Sequence, residues 1–290
     1  MKWSDALALG RVSNLPTVWT NTLAGVALAG GALTDPRVAP LLVAFSLCYV
    51  AGMFLNDAFD REFDRQHRPE RPIPAGRATA AGVFGAGFAM LAAGVGLLAW
   101  VGLAFDGGTG WRPLAGGLTL AVAIVFYDAN HKANPWSPLV MGLCRMLVYL
   151  TAGYAIVESP PAQLILVSLL LLAYLIGLTY IARQEHLGRI GNLWPLAFLA
   201  LPIAWGAVEA SQSLAVAVAC LLFAGWVAHS LHFLKRRGPG DVPRAVGGLL
   251  AGICLWDAVV IASTGQAAAA LLAAALFLVT LVLQRYVAPT

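Results

Sequence analysis

Apolar segments long enough to cross a bilayer recur along the whole chain and are separated by short polar stretches. A membrane-spanning helix needs roughly 20 mostly apolar residues. The fourth segment is short, and the last two, which little more than residues 263–266 separate, are either two spans or one bent hairpin. The pattern therefore predicts an all-α, polytopic membrane bundle of nine to ten transmembrane helices. The ten segments are residues 15–33, 38–57, 79–104, 113–127, 138–157, 162–182, 193–208, 212–234, 245–264 and 266–287.

The amino-acid composition also indicates a membrane protein. Hydrophobic residues make up 60% of the chain, charged residues make up 11%, and the mean hydropathy is +0.78. A soluble protein of this length could not bury so much apolar surface. The four cysteines lie inside apolar segments and lack the paired spacing of a metal site, so we expect small core residues there. Nothing marks a second domain, and residues 1–290 are predicted to form a single transmembrane domain.

The basic residues are distributed unevenly between the two sides that alternating spans define. One side carries fifteen of the 18 lysines and arginines, the other carries Arg37 and Arg112, and Arg145 falls within a span. Cytoplasmic loops of membrane proteins are rich in Lys and Arg, so the first side and both termini are predicted to be cytoplasmic. This topology in the cytoplasmic membrane accounts for the formal charge of +4 and requires no nucleic-acid partner.

The end of the second apolar segment carries Asn56, Asp57, Asp60 and Asp64, which we call the acidic run. The aspartates are three, four and seven residues apart, so they lie along one face of a helix end. Clustered carboxylates repel one another unless a cation lies between them, and oxygen ligands of this kind suit Mg²⁺. Because Mg²⁺ commonly also binds substrate phosphates, we expect a site for a lipid diphosphate at the membrane surface.

Residues 65–77 follow the acidic run and contain three prolines and four arginines. The prolines end the helix and impose an extended path. Arginines at positions 65, 68, 71 and 77 are expected near the carboxylates, where guanidinium groups bind phosphate oxygens. A solvated loop whose charges only set the topology is the alternative. The aspartates begin inside the end of an apolar span, where a charge is costly without a partner, and this favours a binding site.

The run NDAFDREFD at residues 56–64 and the segment RPERPIPAGR at residues 68–77 resemble the signature of the UbiA superfamily of intramembrane prenyltransferases. The resemblance covers residues 56–77 without a gap, and the helix layout extends it over most of the chain. It implies a helical bundle around a central cavity, with Mg²⁺ and an isoprenyl diphosphate at the cytoplasmic mouth. It also implies transfer of the isoprenyl group to an aromatic or other lipophilic acceptor.

This resemblance suggests roles for individual residues. It implies that the acidic run binds the metal, and that Tyr127 and Lys132 form a Tyr…Lys element near the diphosphate. Arg145 lies inside a span, so a role in the cavity and a bridge to Asp128 or Asp257 are equally open interpretations. The candidate ligands of the diphosphate are Arg11, Arg68, Arg77, Lys132 and Arg145.

The segment after the sixth apolar span departs from the family pattern. Residues 179–189 read TYIARQEHLGR at the place where the resemblance implies a second acidic motif, and Glu185 is their single acidic residue. If the usual aspartates align with Tyr180 and Arg183, two metal ligands are missing, and Arg183 would supply fixed positive charge instead. The candidate catalytic residues are therefore Arg183, Glu185, Lys132 and Tyr127. The pattern resembles a divergent, EboC-like branch of the superfamily.

Two other functions are compatible with the sequence. A non-catalytic binder or transporter of prenylated or polyprenyl-diphosphate lipids would keep the first acidic motif and lose the second. A transporter unrelated to prenyl lipids would use the acidic helix end as an ion site. It would show cation-coupled flux and no affinity for isoprenyl diphosphates.

Overall fold

A computed structural model describes residues 1–132, 134–183, 194–236, 238 and 240–289. Over these residues the fold is all-α, as the apolar pattern predicts, with 3₁₀ turns at Val12–Asn14 and Trp194–Leu199. The helices of this part of the chain are α1 (Trp3–Leu9), α2 (Leu15–Leu28), α3 (Val38–Phe59), α4 (Arg61–His67), α5 (Ala80–Leu103), α6 (Arg112–Asn130), α7 (Ser137–Ile156), α8 (Ala162–Arg183), α9 (Ala200–Glu209), α10 (Leu214–Arg236), α11 (Asp241–Ser263) and α12 (Ala267–Leu283).

Seven of the described helices are long and apolar enough to cross a membrane: α3, α5, α6, α7, α8, α10 and α11. Each of them coincides with a predicted apolar segment. The shorter helices α2, α9 and α12 fall where the other three segments are predicted. The multi-pass helical architecture is therefore confirmed, whereas the count of nine to ten spans stays a prediction.

Helix α11 lies at the centre of the bundle. It packs against α2, α8, α10 and α12. Of its 18-residue apolar stretch, 89% is buried within the protein. In α6, only 22% of the 18-residue apolar stretch is buried. Because α6 is also apolar, most of its surface is suited to contact with lipid rather than water.

Close packing of α2 against α7 places polar side chains inside the bundle. Gly25 of α2 lies so near α7 that a Cβ atom there would come within 2.9 Å of the Ala152 Cβ atom. Small residues allow this backbone approach at helix interfaces in membranes. Asn21 lies one turn before Gly25, and the close approach brings it within hydrogen-bonding distance of Arg145 on α7.

The turn between α1 and α2 meets the end of α3. Arg11 has a left-handed backbone conformation with φ of 40°, which is uncommon for a residue other than glycine. The Tyr49 hydroxyl of α3 donates a hydrogen bond to the Arg11 carbonyl oxygen over 3.1 Å. These contacts place the Arg11 side chain at the end of α3 that carries the acidic run.

Candidate functional site

The acidic run lies at the junction of α3 and α4. Asp57 is in the last turn of α3, Asp60 is the residue between the two helices, and Asp64 is in α4. The Asp60 backbone N–H donates to the Asn56 carbonyl oxygen at 2.9 Å, so helical hydrogen bonding continues across the junction. The predicted helical spacing therefore holds locally, although the structure divides the run between two helices.

Two arginines converge on Asp57. Arg11 Nη2 lies 2.9 Å from Asp57 Oδ1, and Arg71 Nη1 lies 3.0 Å from the same oxygen. Arg71 Nη1 also lies 3.0 Å from Asp64 Oδ2, so one guanidinium joins two aspartates. We call Arg11, Asp57, Asp64 and Arg71 the Asp57 cluster. Their side chains are between 2% and 15% exposed, so salt screens these ion pairs less than it screens pairs on a surface.

Asp60 forms a separate group with residues that follow α6. Lys132 Nζ lies 3.0 Å from Asp60 Oδ1, and His131 Nε2 lies 3.4 Å from Oδ2. Lys132 Nζ also lies 3.5 Å from the centroid of the Phe63 ring, a cation–π contact. Burial raises the pKa of Asp60, but the hydrogen bonds and charges of His131 and Lys132 outweigh it and lower the pKa below 3.8. Asp60 is therefore an anion at neutral pH.

Asn56 connects the Asp57 cluster to α6. Its Oδ1 atom accepts a hydrogen bond from Arg11 Nη2 over 3.3 Å, and its Nδ2 atom donates to Asp128 Oδ1 over 3.2 Å. The other Asp128 carboxylate oxygen is buried and has no hydrogen-bond partner among the described residues. A buried polar atom without a partner is costly, so this oxygen is suited to accept a hydrogen bond or a cation from a ligand.

A cavity of about 580 Å³, its open mouth included, lies between α2, α3, α6 and α7. Its wall is largely apolar, and its described polar groups are Tyr49, Tyr127, Asp128 and Arg145. Because Asp128 accepts a hydrogen bond from Asn56, the acidic run lies at one end of this cavity.

Arg145 is a buried part of the cavity wall and is 8% exposed. It donates from Nη1 to Asn21 Oδ1 over 2.9 Å and from Nη2 to Thr17 Oγ1 over 3.0 Å. Asn21 Nδ2 donates to Asp257 Oδ2 over 2.8 Å, and the Tyr149 hydroxyl donates to the other oxygen of that carboxylate. We call these five residues the Arg145 network. In it the bridge from Arg145 to Asp257 passes through an amide.

The structure places Arg77 and Arg68 differently from the Asp57 cluster. Arg77 Nε lies 2.8 Å from Asp5 Oδ1, and the Arg77 side chain is 44% exposed. Its Nη2 atom donates to the Glu70 carbonyl oxygen. Arg68 follows α4, is partly buried, and donates its backbone N–H to the Asp64 carbonyl oxygen over 2.8 Å. A phosphate-binding role for these two arginines stays a prediction.

The four candidate catalytic residues are only partly within the described structure. Tyr127 lines the cavity and stacks on His131, with ring centroids 5.0 Å apart. Lys132 pairs with Asp60 of the acidic run. The Arg183 side chain and Glu185 lie outside the described residues, so their predicted roles rest on the sequence.

Sequence reasoning did not assign the contacts of His131 and Asp128, and it expected Arg71 near the carboxylates only as one of four arginines. Arg71 lies beyond Pro69, where helical spacing no longer predicts which of the arginines meets the aspartates. His131 could have been found from its position four residues after Tyr127, which predicts contact on a helix. Asp128 is an acidic residue at the end of an apolar span, the same signal that singles out Asp57.

The donor atoms of the site suit Mg²⁺, because the acidic run offers carboxylate and amide oxygens and Asp128 adds a buried carboxylate oxygen without a partner. Within the described ranges, no three His, Cys, Asp or Glu side chains are grouped as a preformed metal site. The carboxylates of the run are instead paired with Arg11, Arg71 and Lys132. The residues therefore fit the ion chemically, and the ion would compete with these basic groups.

Comparisons with known proteins show the family of this chain and its relatives. The model of the UbiA prenyltransferase family matches residues 18–188. The digeranylgeranylglyceryl phosphate synthase of Methanoculleus marisnigri is 33% identical over 125 residues, which are 43% of this chain and 39% of that protein. The enzyme of the same name from Methanopyrus kandleri is 29% identical over 225 residues, which are 74% and 76% of the two chains. The protein of that name from Haloquadratum walsbyi is 37% identical over 90 residues, which are 30% of this chain and 32% of that protein.

Two solved structures share the fold. A UbiA homologue from Aeropyrum pernix superposes with a TM-score of 0.68 over 87% of this chain and 97% of that chain, at 17% identity. A structure concerned with digeranylgeranylglyceryl phosphate synthase in membranes gives a TM-score of 0.62 over 90% and 97% of the chains, at 18% identity. At these identities the similarity concerns the fold alone.

Proposed function

Because the chain belongs to the UbiA prenyltransferase family, we propose that it transfers an isoprenyl group from an isoprenyl diphosphate to a lipophilic acceptor, with Mg²⁺ as cofactor. The observation that carries this proposal is the acidic run, paired with Arg11, Arg71 and Lys132 at one end of a largely apolar cavity. The relatives named digeranylgeranylglyceryl phosphate synthase support a lipid acceptor, because that name describes an isoprenoid lipid phosphate as the product.

The acidic run would hold Mg²⁺ against the diphosphate of the donor. When bound, Mg²⁺ would neutralise the negative charge that develops on the leaving diphosphate. In the described contacts Arg71 uses Nη1 for both aspartates, which leaves Nη2 and Nε to donate to phosphate oxygens. Lys132, held between Asp60 and the Phe63 ring, adds a second positive charge directed at the same end of the cavity.

Transfer requires the bond between the isoprenyl carbon and the diphosphate oxygen to break, and the electron pair leaves with the diphosphate. The acceptor then attacks the allylic carbon and loses a proton. Arg11, Arg71 and Lys132 would stabilise the leaving group electrostatically. The apolar cavity wall would exclude water, which would otherwise quench the allylic cation.

We also propose that the acidic run faces the cytoplasm. The uneven distribution of lysines and arginines along the sequence supports this orientation. A cysteine introduced at the exposed Glu70 tests it. In right-side-out vesicles, a membrane-impermeant thiol reagent should label Glu70→Cys only after the membrane has been permeabilised. Labelling in intact vesicles would show that the acidic run faces the outside of the cell.

Donor binding and diphosphate release test the central proposal. Purified protein in nanodiscs would be given radiolabelled geranyl, farnesyl and geranylgeranyl diphosphates, with and without Mg²⁺. We expect Mg²⁺-dependent release that Asp57→Ala abolishes while the protein stays folded. Glu62→Gln is the matched control, because Glu62 is 64% exposed and pairs with exposed arginines outside the Asp57 cluster. Full release by Asp57→Ala would contradict the role of the acidic run.

A non-catalytic lipid binder is the second candidate function. It is favoured by the segment at residues 179–189, where the family resemblance implies a second acidic motif and Glu185 is the single acidic residue. Such a protein would bind isoprenyl diphosphates with Mg²⁺ and release no diphosphate, even when lipid acceptors are supplied. An absence of binding to all three donors would instead favour a cation-coupled transporter.

A further inference from the structure

Helix α1 packs one face on the protein and leaves an apolar face open. Leu9 is fully buried and Asp5 is 7% exposed, and the two residues share one face of the helix. Trp3 and Leu7 share the opposite face and are 86% and 43% exposed. Met1, just before the helix, is 66% exposed. Large apolar side chains exposed side by side mark a surface that contacts a membrane or another protein.

The buried face of α1 fixes its depth relative to the membrane-spanning helices. Leu9 packs with Phe54 and Ala58 in the last two turns of α3, and with Val83 in the first turn of α5. Both α3 and α5 are long and apolar enough to cross a membrane. Helix α1 therefore lies at the level where the bilayer meets water, on the side that carries the acidic run.

The chemistry of the open face suits lipid at this level. Tryptophan combines an apolar ring with an N–H donor and is enriched at membrane–water interfaces. Lys2, exposed beside Trp3, adds a positive charge that suits the phosphates of lipid head groups. Phe84 of α5 packs against the same cluster as Leu9 and stacks with Phe88, which is 45% exposed. The apolar surface near α1 therefore continues into the outer surface of a membrane-spanning helix.

We propose that α1 is an interfacial anchor. Its face formed by Trp3 and Leu7 lies in the head-group layer of the bilayer leaflet on the side of the acidic run, and the occupant of that face is phospholipid. The anchor also holds the donor site in position. This second part rests on the proposed function, whereas the lipid contact does not.

Two contacts connect α1 to the donor site. The Arg11 backbone N–H donates to the Ala8 carbonyl oxygen at the end of α1 over 3.1 Å, and the Arg11 side chain contacts Asp57. Asp5, on the buried face of α1, pairs over 2.8 Å with Arg77 of the segment that follows α4. A shift of α1 would therefore displace Arg11 from the Asp57 cluster.

Fluorescence quenching in phosphatidylcholine nanodiscs tests the lipid contact. Ser4→Cys would carry an environment-sensitive fluorophore, because Ser4 is exposed on α1 and its replacement leaves Trp3 and Leu7 intact. We expect spin-labelled phospholipids to quench this label and aqueous iodide to quench it little. Glu70→Cys, exposed on the same side, is the matched control that iodide should quench. The wild type, treated in parallel, corrects for reaction at its own cysteines.

Two outcomes would overturn the anchor. Iodide quenching of the Ser4 label as strong as that of the Glu70 label, without quenching by lipid, would place α1 in water. Shielding of the Ser4 label from both quenchers would mean that protein covers the face. If this shielding appeared only in discs that hold two copies, it would assign the face to a second copy of this chain.

Variants then test the connection to the donor site. Trp3→Ser combined with Leu7→Ser should reduce lipid quenching of the Ser4 label. It should also weaken binding of an isoprenyl diphosphate about three- to tenfold, because Arg11 is held less firmly. Trp3→Phe, which keeps an apolar ring, should retain most of both. Trp111→Ser is the control, because Trp111 is 65% exposed and precedes α6 at the opposite ends of the helices.

The quenching measurement uses no substrate, so it separates this inference from the proposed function. An absence of donor binding by the wild type would reject the proposed function and the connection to the site, and the anchor would be decided by quenching alone. Reduced lipid quenching in the double variant with unchanged donor affinity would keep the anchor and reject the connection.

Discussion

The Asp57 cluster and the Arg145 network both place charged side chains inside an apolar protein, but they stabilise those charges in different ways. In the Asp57 cluster, Arg11 and Arg71 contact the carboxylate directly at 2.9 Å and 3.0 Å. In the Arg145 network, Asn21 stands between the guanidinium and Asp257. Direct pairing neutralises each charge near the end of the helices, whereas the amide bridge preserves a positive charge at the cavity wall.

This difference predicts different consequences of mutation. Residues of the Asp57 cluster lie around the junction of α3 and α4 and in the turns that precede α2 and follow α4, so changes there should affect ligand handling more than folding. Residues of the Arg145 network are buried between α2, α7 and α11. Changes there should leave buried polar groups without hydrogen-bond partners and lower the free energy of unfolding. The predictions below test this distinction, from the largest expected effect to the smallest.

Asp57→Asn should have the largest effect. The substitution keeps the size of the side chain and removes the charge that pairs with both arginines. Loss of one well-placed electrostatic group typically slows a reaction about 10²–10³-fold, and we expect Mg²⁺-dependent diphosphate release to fall by that factor. Single-turnover release measures it, with Glu62→Gln as the control. A rate close to that of the wild type would mean that the cluster is structural.

Asn21→Leu should destabilise the protein, because it separates Arg145 from Asp257 and leaves buried donors and acceptors without partners. We expect a loss of about 1–3 kcal/mol in the free energy of unfolding, measured by denaturant titration in detergent. Asn130→Leu, at the exposed end of α6, is the matched control and should change it by less than about 0.5 kcal/mol. Equal stability of the two variants would show that the amide bridge contributes nothing.

Arg71→Gln and Arg77→Gln should differ although both residues belong to the same segment. Arg71 joins two buried aspartates, so its loss should weaken binding of an isoprenyl diphosphate about tenfold or more. Arg77 is 44% exposed and pairs with Asp5, and exposed ion pairs are typically worth about 0–1 kcal/mol. Equilibrium binding with labelled donor compares them. A larger effect at Arg77 would favour the prediction made from the sequence.

Asp60→Asn should change the pH dependence of stability. The pKa of Asp60 lies below its ordinary value of 3.8, so the paired anion stabilises the folded state above that pH. This contribution is lost as the pH falls below 3.8 and Asp60 becomes protonated. Thermal unfolding of the wild type and of Asp60→Asn should therefore differ at neutral pH and converge in acid. A constant difference down to pH 3 would exclude this linkage.

The sequence predicted the contacts of some residues of the site and not those of others. Helical spacing grouped Asp57 and Asp64 correctly, because both accept from Arg71. It did not predict that Asp60 pairs with Lys132 and His131, since those residues follow α6. Arg145 was recognisable as a charge within an apolar span, but its hydrogen bonds to α2 depend on packing.

The sequence by itself determined the helical membrane architecture, the spacing of the acidic run and the family signature at residues 56–77. These features depend on local backbone periodicity and on hydrophobicity, which can be read along the chain. Only the tertiary structure decided which charges pair directly and which are bridged. Asn21 and Asp257 are 236 residues apart, and they meet because α2 packs against α11 in the interior of the bundle.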